Sequence, residues 1–177
     1  MKILILNGSP RPKGNTKQMI DAFCEGLRSA GHAFEVLDLC RLNIRGCLAC
    51  EYCHARGHGQ CVQKDDMQRV YPLLEEADML VLASPIYYHG LTGQMKCCID
   101  RFYAMLYPKK PIKLSRIAML LVSGDPDMYD GALFSYRGDF LDYLGLKDMG
   151  VITVQAYDPG VPAEKLEEIR RFGETVR

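Results

Sequence analysis

The sequence lacks any long apolar run and any excess of charge of one sign. No apolar stretch approaches the roughly 20 residues of a membrane-spanning helix, and the apolar run near the N-terminus is too short for the core of a signal peptide. The 22 Lys and Arg balance the 22 Asp and Glu, and no basic stripe is present. Nucleic acid and anionic membranes are therefore poor candidates for partners. Since neither a signal peptide nor a membrane span is indicated, we expect a cytoplasmic protein.

Internal repeats, low-complexity segments and linker-like changes of composition are also missing. The chain has 177 residues, of which 48% are hydrophobic and 25% charged, which is enough for one compact domain with a full core. Such a domain does not need disulfides to fold. Because thiols persist in the cytoplasm, a dense cluster of cysteines, such as the four of the eight that lie at 47–61, indicates metal binding or redox chemistry before it indicates disulfides.

Apolar runs alternate with helical patterns along the whole chain. The runs predict five strands, at 2–7, 32–39, 78–84, 116–123 and 148–157. The helical patterns lie at 16–30, 66–77, 90–106, 131–144 and 163–176, with Pro72 predicted to kink or restart the second. This alternation predicts an α/β fold with a doubly wound parallel sheet of order 2-1-3-4-5, and ligands beyond the carboxyl ends of strands 1 and 3.

The connection after the first strand, NGSPRPKGNTKQ (7–18), combines turn residues with short polar side chains and leads into a helix. A helix N-terminus favours a bound phosphate. Asn15 stands where a P-loop needs Lys, and GxGxxG is absent, which argues against nucleoside triphosphate and dinucleotide sites. A terminal monoester phosphate, as in FMN, remains, and the alternative is a tight strand-to-helix turn that binds nothing.

The connection after the third strand, ASPIYYHGLTGQMK (83–96), offers flat apolar faces beside flexible backbone. Gly90 and Gly93 permit close approach of the backbone, and Tyr87 and Tyr88 suit an isoalloxazine ring. The same tyrosines also suit packing under the following helix, which is the alternative without a cofactor.

Four cysteines occur within CLACEYCHARGHGQC (47–61). Cys47, Cys50 and Cys53 are three residues apart, so one short loop can turn them toward a single centre, and Cys61 follows after two glycines. A zinc ribbon usually has two separate C-x-x-C pairs, whereas the compact run is typical of bacterial iron–sulfur sites. We predict that these four cysteines ligate an iron–sulfur cluster. Zinc and unligated redox thiols are the alternatives.

Together, NGSPRPKGNT and ASPIYYHGLTGQMKCCIDR resemble the two FMN-binding loops of the flavodoxin-like NAD(P)H-dependent FMN reductases, and the resemblance covers essentially the whole chain. CLACEYC, followed by Cys61 and DDM (65–67), resembles the iron–sulfur flavoproteins of that family, whose cysteine motif holds a 4Fe–4S cluster. The resemblance implies a single flavodoxin-like FMN-binding domain over 1–177 with a cysteine-rich insertion at 40–65.

The resemblance also implies positions for the cofactor. Residues around the FMN phosphate would be Ser9, Arg11, Asn15 and Thr16, those lining the ring would be Pro85, Ile86, Tyr87, Tyr88 and Gly90, and Ser123 and Gly124 would complete the pocket. Cys47, Cys50, Cys53 and Cys61 would be the cluster ligands.

We therefore expect an FMN-dependent oxidoreductase or electron-transfer protein with a 4Fe–4S cluster, since FMN exchanges one or two electrons and a cluster one. Expected partners are a donor such as NAD(P)H and a redox protein or small-molecule acceptor. The resemblance also implies a homodimer or homotetramer, since the family's relatives bring the cluster of one subunit near the flavin of another. The alternatives are an NAD(P)H-dependent flavin or quinone reductase without a cluster, and a non-catalytic flavin- or zinc-binding regulatory module. The sequence shows no Asp/His/Ser arrangement for hydrolysis, so no catalytic side chain is predicted.

Overall fold

A parallel five-stranded sheet organises the computed structural model, which describes residues 1–106, 113–157 and 160–177. The strands are β1 (Lys2–Asn7), β2 (Ala33–Asp38), β3 (Met79–Pro85), β4 (Arg116–Ser123) and β5 (Lys147–Gln155). Their order is β2-β1-β3-β4-β5, with every neighbouring pair parallel. The predicted sheet class and strand order are therefore confirmed.

Helices cover both faces of this sheet. They are α1 (Asn15–Ser29), α2 (Met67–Glu76), α3 (Gly93–Asp100), α4 (Asp130–Ser135) and α5 (Ala163–Thr175). Helices α1 and α5 belong to one hydrophobic cluster, and α2, α3 and α4 belong to the other. The two clusters are the two layers of core expected for a doubly wound sheet.

The first strand shows why its sequence is apolar throughout. Ile3 and Ile5 pack in the cluster on the α1 side, whereas Leu4 and Leu6 pack in the cluster on the α2 side. Because alternate side chains of a strand point to opposite faces, a strand covered on both faces needs apolar residues at every position.

Helices α1 and α5 approach each other backbone to backbone. A Cβ on Gly26 would lie 2.0 Å from the carbonyl oxygen of Arg170, and a Cβ on Gly173 would lie 2.5 Å from that of Phe23. Only glycine fits at these two positions. This contact fixes α1, whose first turn faces the site described below.

Several helices begin or end differently from the sequence prediction. The helix predicted at 90–106 is α3 followed by a 3-10 turn, Arg101–Leu106, and the helix predicted at 131–144 is α4 followed by a π-helical segment, Tyr136–Tyr143. Helix α3 starts late because the hydroxyl of Thr92 caps it, accepting the Met95 N–H at 3.3 Å. Helix α2 continues through Pro72 as one helix.

The chain between β2 and α2 contains two short 3-10 turns, Leu39–Arg41 and Tyr52–His54, and no strand or α-helix. Within the described ranges, no helix is both long and apolar enough to cross a bilayer.

Candidate functional site

A cleft opens at the carboxyl edge of the sheet, where a doubly wound fold binds its ligands. Its empty volume is about 520 Å³, part of it open to solvent. The cleft is lined by Ser9, Arg11, Gly14, Asn15, Thr16, Pro85, Ile86, Tyr87, Val122, Ser123, Gly124, Ala156 and Tyr157.

The structure brings together nine of the eleven residues predicted to surround FMN, all except Tyr88 and Gly90. The sequence analysis missed four lining residues: Gly14, Val122, Ala156 and Tyr157. A signal for Tyr157 was present, because an aromatic residue two positions after the end of β5 lies at the same edge of a parallel sheet. FMN binding at these residues stays a prediction.

The loop after β1 forms one end of the cleft. The Ser9 N–H donates to Asn7 Oδ1 at 3.0 Å, and the Arg11 N–H donates to Ser9 Oγ at 3.2 Å. The side chains of Ser9 and Thr16 are buried here. The first turn of a helix has N–H groups without intrahelical acceptors, and α1 begins at Asn15 in the cleft wall. This end of the cleft therefore suits an anion.

The side chain of Asn15 fastens α1 to the chain after β5. Its Nδ2 donates to the Ala156 carbonyl at 3.0 Å, and its Oδ1 accepts the Gly160 N–H at 2.8 Å. Both polar atoms of the amide thus bond backbone groups. Asn15 holds two walls of the cleft together through its side chain.

Thr92 joins the loop after β1 to the loop after β3. Its hydroxyl donates to the Gly8 carbonyl at 2.8 Å while it caps α3. A Cβ on Gly8 would lie 2.8 Å from that same hydroxyl oxygen. Glycine at position 8 is therefore required for the close approach of the two loops.

A tight turn at the rim of the cleft separates the two adjacent tyrosines. Tyr87 and Gly90 exchange backbone hydrogen bonds of 3.0 Å, and between them Tyr88 (φ 49°) and His89 (φ 63°) are left-handed, which is uncommon for residues other than glycine. Gly131 makes room for the turn, because a Cβ there would lie 2.4 Å from the His89 carbonyl oxygen. As a result Tyr87 lines the cleft, while Tyr88 is fully exposed.

The cysteine loop begins and ends at one buried ion pair. Arg101 donates from Nη1 to Asp65 Oδ2 at 2.7 Å and from Nη2 to Asp65 Oδ1 at 3.1 Å, and each side chain is 1% exposed. Nη1 also donates to the Arg45 carbonyl at 2.9 Å, and the Arg45 N–H donates to Asp65. Burial alone would raise the pKa of Asp65, but the bonds from Arg101 and Arg45 outweigh it and lower that pKa. We call Arg45, Asp65 and Arg101 the neck of the loop.

The four predicted ligands lie beyond this neck with free thiols. Cys47 and Cys50 are exposed, Cys61 is half-buried and Cys53 is buried. Burial raises the pKa of the Cys53 thiol, and the charges of Cys61 and Cys47 raise it further. In the part of the chain that the structure describes, no three His, Cys, Asp or Glu side chains are arranged so that they could hold a metal ion.

The backbone of the loop has an unusual conformation between the cysteines. Ala49 (φ 50°) and Glu51 (φ 54°) are left-handed, and the Ala49 N–H donates to Cys47 Sγ at 3.4 Å. Left-handed residues in such turns make concavities of N–H groups that bind anions, iron–sulfur clusters among them. Because this conformation costs free energy in residues with a side chain, it indicates a functional constraint.

The segment after α3 packs against the loop through an aromatic contact. The His54 ring stacks on Tyr103 with centroids 3.9 Å apart, and His54 Nε2 bonds the Tyr103 carbonyl at 2.8 Å. The Tyr103 hydroxyl donates to Glu51 Oε2 at 3.0 Å. The left-handed residue Glu51 is thus held from outside the loop.

Comparison with known sequences gives the family. A sequence profile described as NADPH-dependent FMN reductase matches residues 1–157. The chain belongs to the NADPH-dependent FMN reductase family. It is therefore a flavin-dependent oxidoreductase with FMN as the family's cofactor, which confirms the predicted enzyme class.

Individual relatives of this reductase-family chain add detail. An iron-sulfur flavoprotein from Archaeoglobus fulgidus is 43% identical, and the match covers 99% of this chain and 79% of that protein. Another from Methanocaldococcus jannaschii is 33% identical over 70% of this chain, and the match spans 62% of that relative's length. Among solved structures, an NAD(P)H:quinone oxidoreductase from Methanothermobacter marburgensis has a TM-score of 0.80 at 25% identity, with 98% of this chain and 94% of that chain covered. The resemblance to iron–sulfur flavoproteins and the flavodoxin-like fold are thereby confirmed.

Proposed function

We propose that this reductase-family protein holds FMN in the cleft and a 4Fe–4S cluster on Cys47, Cys50, Cys53 and Cys61, and that it passes electrons between a two-electron donor and one-electron carriers. When bound, FMN supplies hydride and one-electron chemistry, and the cluster supplies one-electron transfer. The observation that carries the cluster part of the proposal is the loop itself, which has four cysteines within fifteen residues and left-handed residues between them, in a chain 43% identical to an iron-sulfur flavoprotein.

The cleft is proposed to hold FMN in one orientation. At the anion-binding end, the hydroxyls of Ser9 and Thr16, the backbone at Asn15 and the side chain of Arg11 would hold the phosphate. At the other end, Pro85, Ile86 and Tyr87 would line one face of the ring and Ser123 and Gly124 another. Gly90 would act through its backbone pair with Tyr87, and Tyr88 would stand at the rim.

Tyr157 packs directly against Gly124 in the cleft wall. A Cβ on Gly124 would lie 3.1 Å from the ring of Tyr157, whose hydroxyl donates to Asp125 at 3.3 Å. The small residue after β4 thus lets the aromatic ring that follows β5 close this side of the cleft.

The donor set of the loop favours a cluster over zinc. Four thiols within fifteen residues, three of them in one C-x-x-C-x-x-C run, form a compact all-sulfur set. Anion-binding backbone suits a cluster with thiolate ligands, which has net negative charge. Zinc bound to the same four thiols, and thiols without a ligand, are distinguished by metal and sulfide analysis.

We further propose NAD(P)H as donor, a redox protein or small molecule as acceptor, and a homodimer or homotetramer that brings the cysteine loop of one copy to the cleft of another. Leu48 in the loop, Tyr88 at the rim and Phe134 on α4 are large apolar side chains exposed to solvent, as is usual at surfaces that meet a partner. A monomer in sedimentation at micromolar concentration would exclude this arrangement.

Cys50→Ala tests the cluster independently of the flavin. The loop is separate from the cleft lining, so the variant should keep about one FMN per chain, lose iron and sulfide after anaerobic reconstitution, and still be reduced at the flavin by a chemical reductant. Cys40→Ala is the matched control, because Cys40 is an exposed cysteine outside the motif, and it should retain iron and sulfide.

The possible results separate the candidate functions. Iron and sulfide at parental levels in Cys50→Ala would show that the ligand assignment is wrong. If the parent contains zinc and no sulfide, the site is a zinc site and not a cluster. If the parent contains neither metal nor sulfide, the protein is an FMN-dependent reductase without a cluster.

A further inference from the structure

The hydroxyl of Thr92 bonds two different segments of the chain from behind the cleft. It donates its proton to the Gly8 carbonyl at 2.8 Å and accepts the Met95 N–H at 3.3 Å. The side chain is fully buried and is not among the residues that line the cleft. A buried hydroxyl with both bonds made to backbone groups fixes the position of those groups, because breaking either bond leaves a buried polar atom unpaired.

Thr92 is itself held in place by the end of β3. Its N–H donates to Ser84 Oγ at 3.3 Å, and Ser84 donates its own proton to the Pro85 carbonyl at 2.8 Å. Ser84 is also fully buried. The hydroxyl of Thr92 is therefore anchored by β3 on one side and by the first turn of α3 on the other.

The peptide between Gly8 and Ser9 is held at both of its polar atoms. The Gly8 carbonyl accepts from Thr92, and the Ser9 N–H donates to Asn7 Oδ1 at 3.0 Å. The amide of Asn7 is oriented in turn by Asp38, whose Oδ1 accepts from Nδ2 at 2.9 Å. Because a peptide unit is planar, these bonds together set its orientation.

This orientation matters for an anion beside Ser9. A backbone carbonyl oxygen carries a partial negative charge, which repels a phosphate when the oxygen is free to turn toward it. The charge on the Gly8 carbonyl is directed at the Thr92 proton and offset there. Ser9, the next residue, lines the cleft, and its Oγ accepts the Arg11 N–H at 3.2 Å, which leaves the hydroxyl proton for a phosphate oxygen.

We propose that Thr92 is a positioning residue for the cofactor phosphate, because its hydroxyl holds the peptide before Ser9 in the orientation that phosphate binding needs. The inference rests on the proposed function and deepens it. The Thr92 N–H bond to Ser84 involves only the backbone of Thr92, so substitutions at position 92 keep the anchor of the ring-lining loop. Thr92 should therefore contribute to the preference for FMN over riboflavin, which is the same flavin without the phosphate.

The test compares the dissociation constants of FMN and riboflavin, titrated by quenching of flavin fluorescence into the full chain freed of flavin. Thr92→Val keeps the shape of the side chain and removes the hydroxyl, whereas Thr92→Ser keeps the hydroxyl. The matched control is Thr175→Val, because Thr175 donates to the Phe172 carbonyl at 2.9 Å at the end of α5, outside the cleft lining.

In Thr92→Val the Kd of FMN should rise about tenfold, as expected for the loss of one buried hydrogen bond, while the Kd of riboflavin should stay at the parental value. Thr92→Ser and Thr175→Val should match the parent for both flavins. Parental FMN binding in Thr92→Val, or equal weakening of both flavins, would overturn the inference, since equal weakening is what a general loss of structure produces.

A further variant covers the case in which Thr92→Val does not fold. Thr92→Ala removes the same hydroxyl without placing a methyl group against the Gly8 carbonyl. A loss of preference for FMN in this variant supports the inference, and a parental preference overturns it. A parent that binds riboflavin as tightly as FMN would instead contradict the proposed phosphate site, which is a distinct result.

Discussion

Asn15 offers a sharp test of how the cleft is held together. Its amide makes two bonds, to the Ala156 carbonyl and from the Gly160 N–H, and the residue is 5% exposed. Asn15→Ala removes both bonds between helix α1 and the chain after β5. We expect both the stability of the protein and the affinity for FMN to fall.

The magnitude follows from the two backbone groups that lose their partner. Each buried polar group left unpaired costs about 1–3 kcal/mol, and alanine regains about 0.5 kcal/mol as the better helix former. Ala156 is half-buried and Gly160 exposed, so water recovers part of the loss. We therefore expect the free energy of unfolding to fall by about 2 kcal/mol. The cleft wall at Ala156 also loses its anchor, so FMN should bind about tenfold more weakly, equivalent to about 1.4 kcal/mol.

The assay is urea unfolding of protein freed of FMN, because bound ligand would add its own stabilisation, together with a titration that follows the quenching of FMN fluorescence. Asn43→Ala is the matched control, since Asn43 is exposed and bonds Asp66 through its backbone. It should stay within about 0.5 kcal/mol of the parent. An Asn15→Ala protein that is equally close to the parent, with the same FMN affinity, would refute the reasoning.

Two further predictions concern the phosphate end of the cleft and the neck of the cysteine loop. Thr16→Ala and Ser9→Ala should each weaken the binding of FMN by about 1–2 kcal/mol, because each removes a hydroxyl near the phosphate. An unchanged Kd for FMN in both variants would exclude this phosphate site. The pKa of Asp65 is lowered below 3.8 in the folded protein, so its contribution to stability should be full above about pH 4 and should be lost as the pH falls through the folded-state pKa. The difference in unfolding free energy between the parent and Asp65→Asn, measured from pH 7 to pH 3, should therefore stay constant down to about pH 4. A difference that already shrinks between pH 7 and pH 5 would contradict this assignment.

The sheet could be predicted because each strand is indicated by the residues of its own short segment. KILILN is apolar at every position, as a strand covered on both faces must be, and four more such runs alternate with helical patterns. Right-handed crossovers then leave few strand orders. Since the carboxyl ends of parallel strands share one edge, the same reasoning predicted a ligand site at the loops after β1 and β3, and the family resemblance added the residues after β4; all three loops line one cleft.

The remaining features depend on contacts between distant parts of the chain. The partners of Asn15 lie 141 and 145 residues away, and Asp65 meets Arg101 across 36 residues, so no local pattern indicates either interaction. The outward direction of Tyr88 depends on a left-handed turn against which Gly131 packs, at a distance that leaves no room for a Cβ. Sequence pattern identified Tyr88 as aromatic and near the site, but it could not give the direction of the side chain.

The neck of the cysteine loop has a consequence for how this part of the molecule can change in evolution or by engineering. Chain entering at Arg45 and chain leaving at Asp65 meet at Arg101, so the intervening segment is a closed ring and not a span between two separated points. A segment between two separated points must be long enough to cover the distance between them. A flexible loop whose two ends meet has no such requirement, and its entropic cost of closure rises by only about 0.6 kcal/mol when its length doubles. Residues can therefore be added to or removed from the segment without altering the spacing of β2 and α2. The spacing of the cysteines is in this sense independent of the sheet, and a different metal-binding sequence could be exchanged into the ring as long as the ion pair at its base is kept.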